Sequence, residues 1–241
     1  MRTENYVAGL TMAEHERVIV QLRGDLDSGE IRRQVAAAHR LVELGPGGLP
    51  LLWESLDAES DEVKMLAVRG LLQLGALHDP ELDPSRLDQL EALAGRADPR
   101  LAARALLAIY LTQPDRREEC FPRLAQNLAA AGERNDLAME TLLEVYRAGE
   151  RHRAEAVRLI LVRLAKRQFL IEGGGGEIGM PVPDELVELG EPLIVSLETA
   201  FESPHGDTRL AAIHVLRTLV ARGKPDLVEI MPNHWERQWK V

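Results

Sequence analysis

The feature that most constrains this chain is one helical pattern written five times. Counting from Val63, steps 0, 3, 4, 7, 8 and 11 are Val63, Leu66, Ala67, Gly70, Leu71 and Leu74, an apolar stripe with the period of an α-helix. From Arg33 the same template gives Ala36, Ala37, Arg40, Leu41 and Leu44, and from Pro99 it gives Ala102, Ala103, Leu106, Leu107 and Tyr110. From Arg134 it gives Leu137, Ala138, Thr141, Leu142 and Val145, and from Thr208 it gives Ala211, Ala212, Val215, Leu216 and Leu219. Step 4 is alanine and step 8 leucine in every copy, which amphipathicity alone does not require. A small residue lets a neighbouring backbone approach, and a leucine one turn on fills the groove. The pattern therefore predicts one packing site used repeatedly.

Each of these helices follows a second kind of segment. Pro50 heads PLLWESL, Pro122 heads PRLAQNL and Pro192 heads PLIVSL. Proline is tolerated in the first turn of a helix and kinks it further in, so the predicted unit is a helix pair. Hydrophobic residues make up 45% of the chain but aromatics only 4%, which suits interiors of Leu, Val, Ile and Ala packed helix on helix. The run VKMLAVRGLLQLG at 63–75 resembles the repeat of the HEAT superfamily, in particular its phycobilisome-lyase-type members. The resemblance covers roughly residues 14–222. It implies an all-α fold: an α-solenoid of about five to six HEAT-like helix pairs forming one domain over 1–241. The superfamily contains scaffolds, regulators, chromophore lyases and DNA glycosylases, so the resemblance implies a fold rather than an activity.

The copies start at 33, 63, 99, 134 and 208, spacings of 30, 36, 35 and 74, the last being two periods of 37. One repeat between 148 and 205 is therefore expected to lack its second helix. In its place stands FLIEGGGGEIGMPVP at 169–183, read as a Gly-rich loop insertion at 172–183. Such an insert either carries a specific function or is a plain connector. Gly174 to Gly179 lead into Met180 and Pro181, with no Lys and no Ser or Thr, so the run is not a phosphate-binding loop.

The helix expected before this insert, roughly 152–170, is apolar on two sides. If Val157, Ile160, Leu161 and Leu164 face the interior, Leu159 and Val162 point away from it, among Arg158, Arg163, Lys166 and Arg167. Either the segment from Phe169 to Val182 folds back over that side, or the patch receives a partner. Between Arg147 and Arg167 lie seven Lys or Arg and two acids, a reversal of the overall charge. An anionic ligand or an acidic partner segment would dock there, although solvated surface also accounts for it. Trp235 and Trp239, four apart in a tail at 225–241, read as a capping helix or as an aromatic anchor for a partner.

Lys and Arg total 29 against 39 Asp and Glu, a net charge of −10 that disfavours nucleic acid and anionic membranes. A single cysteine, Cys120, excludes an intrachain disulfide and a thiolate metal cluster, and the expected compartment is a reducing cytoplasm. The seven histidines have no paired metal-ligand spacing, and His39 and His214, both at step 6, are expected at the surface. No catalytic constellation, metal site or cofactor is readable from spacing, and no run is long and apolar enough to span a membrane. The expectation is a non-enzymatic scaffold or adaptor that binds another protein. The alternative is a chromophore- or cofactor-handling protein of the lyase type, and a nucleic-acid-binding HEAT-like protein ranks third.

Overall fold

The computed structural model describes residues 12–77, 82–132, 137–172, 182, 184–187, 191–204 and 206–222. The regular structure among them is entirely helical. The chain falls into two compact units, Met1–Ala131 and Gly132–Val241.

The first unit contains α1 (Met12–Leu26), α2 (Ile31–Glu43), α3 (Leu49–Glu54), α4 (Asp61–Gln73), α5 (Pro84–Ala94), α6 (Pro99–Thr112) and α7 (Arg117–Ala130). Short 3-10 turns precede α3 at Gly45–Gly48, follow it at Ser55–Asp57 and precede α7 at Pro114–Arg116. Helix α2 packs on α4 and α4 on α6, while α1 lies against α2, and α5 and α7 lie against α6. Helix α6 is apolar nearly all round, and between Leu101 and Thr112 only Arg104 and Leu111 escape full burial. A helix of that composition belongs at the centre of its unit.

The second unit contains α8 (Leu137–Ala148), α9 (Arg153–Glu172), α10 (Asp184–Val187), α11 (Glu191–Phe201) and α12 (Gly206–Ala221). Helix α9 packs against α8, α11 and α12. Between α9 and α11, where the period predicts a missing second helix, the described residues contain only the single turn α10.

The recurrent positions occupy one environment in both units. Ala37, Ala67, Ala103, Ala138 and Ala212 are buried, as are Leu41, Leu71, Leu107, Leu142 and Leu216, none more than 3% exposed. The rest of the template is less uniform. Ala36 and Arg40 are exposed on α2, where Ala38 joins the buried stripe instead, and Leu66 is half-buried on α4. His39 is exposed as expected, whereas His214 is half-buried.

Local chemistry sets the helix boundaries. Asp83 and Asp98 each cap a helix whose first residue is proline, accepting the backbone N–H of Ser85 at 2.9 Å and of Arg100 at 2.8 Å. Helix α4 ends in a Schellman turn: Gly75 sits at φ +70°, its N–H donates to the Leu72 carbonyl at 3.1 Å, and Ala76 N–H reaches Leu71 at 3.0 Å. Pro50 and Pro192 lie in the first turns of α3 and α11, as the sequence predicts. Pro122 lies inside α7, where it has no N–H for the carbonyl one turn back.

One device recurs that the template does not contain. Arg117 stacks over the Tyr110 ring at 5.2 Å and donates from Nε to the Tyr110 carbonyl at 3.2 Å. Arg153 does the same to Tyr146, at 5.3 Å and 3.2 Å. In both cases a cation closes the end of a helix that carries the template, favourable to its dipole and to the ring face together. Similarly, Gln34 and Arg209, both at step 1, donate to a carbonyl at or just beyond the end of the preceding helix, Leu26 at 2.8 Å and Ser203 at 2.6 Å.

Asp98 supplies a pH-dependent test of the cap. The Arg100 side chain, with Nη2 at 3.0 Å from Oδ2, and the backbone N–H of Arg100 hold its carboxyl below the usual carboxylate range. A carboxyl depressed by folding contributes stability that is complete above its unfolded pKa and is lost as pH falls through the folded one. Asp98→Ala is therefore expected to cost about 1 kcal/mol at neutral pH. The cost should shrink toward zero in acid below the ordinary carboxylate range, once the cap is protonated in the wild type. Urea melts at both pH values check it, and an unchanged cost in acid would assign the effect to packing.

Candidate functional site

Of the positions expected to bind a partner, Arg158, Leu159, Val162 and Arg163 lie together on α9. Arg158 is exposed, and its Nε and Nη2 donate to Glu155 Oε2 at 2.7 Å and Oε1 at 2.5 Å, which holds the Glu155 carboxyl below its ordinary range. Leu159 and Val162 are half-buried, while Val157, Ile160, Leu161 and Leu164 form the buried side of α9. Arg163 is half-buried and donates from Nη1 to the Gly132 carbonyl at 3.3 Å. Lys166 and Arg167 lie on α9, with side chains outside the described residues, and Trp235 and Trp239 lie outside them altogether. The same holds for the proposed cap at 225–241 and for the insertion at 172–183 apart from Glu172 and Val182. Val182 is buried, and its carbonyl accepts from Arg222 Nη2 at 3.3 Å.

Four of the seven cations between Arg147 and Arg167 have partners within the fold. Arg147 pairs with Glu144 at 2.6 Å, Arg153 closes α8, Arg158 pairs within its own turn, and Arg163 satisfies a loop carbonyl. Exposed pairs of this kind contribute little stability, but they remove free charge from the surface.

A better-formed site lies in the first unit, in a cleft of about 430 Å³ bounded by the turn after α3, by α4 and by α5. Helix α5 and the turn after it are tied to the elements before them at positions 86, 89 and 96. Arg86 stacks over the Trp53 ring at 4.9 Å, Gln89 Nε2 donates to Asp57 Oδ2 at 2.7 Å, and Arg96 Nη2 donates to Asp61 Oδ1 at 3.1 Å. Asp57, Gln89 and Arg96 of these ties line the cleft, together with Lys64 of α4, Leu56 and Leu93.

Lys64 is only 8% exposed. Its closest carboxylate oxygen among the described residues, Asp61 Oδ1, is 3.8 Å from Nζ, beyond hydrogen-bond reach and already engaged by Arg96. On the rim, Asp88 is exposed and makes no ion pair or hydrogen bond among the described residues. The cleft can therefore offer a carboxylate at Asp88 and an ammonium at Lys64.

The sequence contained one signal for this site. It is a weak one, since Lys64 stands at step 1 of the template, a position that is polar in every copy, as Gln34, Lys64, Arg100, Asn135 and Arg209. Asp57, Asp61, Asp88, Gln89 and Arg96 carry no periodic signal and come together only through packing.

Two buried hydroxyls on α8, those of Thr141 and Tyr146, have no hydrogen-bond partner among the described residues. Burial pushes the Tyr146 phenol above its ordinary pKa. Removing an unsatisfied buried hydroxyl relieves its desolvation cost, and Arg153 stacks as well on a phenyl ring. Tyr146→Phe is expected to stabilise the second unit by about 1 kcal/mol. A lower denaturation midpoint for the variant would mean that the hydroxyl is hydrated or bonded.

Among the described residues, no three His, Cys, Asp or Glu side chains come together as metal ligands, and no helix is long and apolar enough to cross a membrane. Cys120 is buried, and that burial raises its thiol pKa, which disfavours the reactive thiolate. Comparisons with protein-family models, with curated proteins and with solved structures return no match.

Proposed function

We propose that this chain is a non-enzymatic scaffold or adaptor that holds another protein, built as a HEAT-like array of five to six helix pairs. The reading is supported by one observation above others. Helices two apart in the chain, α2 with α4 and α4 with α6, pack directly, and each carries the same buried alanine and leucine. Neighbour-on-neighbour packing through a recurrent site is the connectivity of a repeat array, in which each unit contacts only the next. An array of that kind buries one side of each helix pair and presents the other as an extended surface, a geometry suited to a protein partner rather than to an enclosed substrate.

The test is affinity capture from the native host with mass spectrometry, using the full chain and a variant lacking residues 172–182. A stoichiometric protein partner is the expected result, and its loss with the deletion would place binding at the interrupted repeat. A chain recovered with a coloured small molecule and no protein would overturn the scaffold reading in favour of the chromophore-handling one. Recovery with nucleic acid that survives physiological salt would overturn it in favour of the third.

A further inference from the structure

We draw no further inference here: the strongest candidate, the side of α12 on which Leu210 and Val220 are exposed and Ile213 is half-buried, is an apolar helix face, and nothing in the structure shows what covers it.

Discussion

Replacing Gly48 with alanine is expected to destabilise the first unit by about 3 kcal/mol, at the upper end of overpacking effects. Gly48 lies at φ −83°, ψ −15°, a conformation open to any residue, so the requirement for glycine is steric. A Cβ built there falls 2.1 Å from the Leu41 carbonyl oxygen and 2.9 Å from its carbon. These are backbone atoms of α2 and cannot rotate aside. Relief requires the 3-10 turn to move, and α3 moves with it, although Leu51, Leu52 and Trp53 are each no more than 6% exposed. Gly45, three residues earlier, is the control. It occupies φ +63° with nothing within 4 Å of its Cβ position, so alanine there meets only left-handed backbone strain, about 1 kcal/mol. Urea denaturation followed by circular dichroism measures both. Equal costs at the two positions would mean that α3 is not seated against α2 as described.

How much of this architecture could be read from sequence depends on whether the responsible signal is periodic. The five helices carrying the template were legible because alanine and leucine recur at fixed steps, and all ten of those side chains are buried. The Schellman turn at Gly75 and the Asp-Pro caps at 83 and 98 are local chemistry of the same readable kind. The cations around α9 illustrate what composition hides. Arg147 finds its acid at Glu144, just outside the window in which cations outnumber acids. Arg153 and Arg163 spend their charge on backbone carbonyls, which every residue possesses and no sequence advertises. The cleft was missed for a related reason. Its polar residues come from α4, α5 and the turns beside them, and are assembled by tertiary contact alone. Lys64 stands at step 1, which is polar in every copy, and lays its apolar stem along a buried face while its ammonium reaches an opening.

Ala103→Leu is the second substitution expected to have a large effect, about 3 kcal/mol of lost stability. Ala103 stands at step 4 on α6, fully buried, on a helix against which α4, α5 and α7 all pack. A leucine adds three heavy atoms where interiors are filled at crystal-like density, and with neighbours on three flanks the helix cannot retreat without opening a contact elsewhere. The exposed Ala36, at step 3 on α2, makes the comparison informative. By composition the two alanines are alike, and leucine propagates a helix nearly as well as alanine, so intrinsic propensity predicts a negligible effect at both. Burial predicts a large cost at Ala103 and a change within about 0.5 kcal/mol at Ala36. If both variants melt like the wild type, alanine at step 4 is a coincidence of composition, and the packing site that joins one helix pair to the next, on which the scaffold reading rests, does not exist. A large loss at Ala103 alone would mean that close approach at step 4, rather than general hydrophobicity, keeps successive pairs in register.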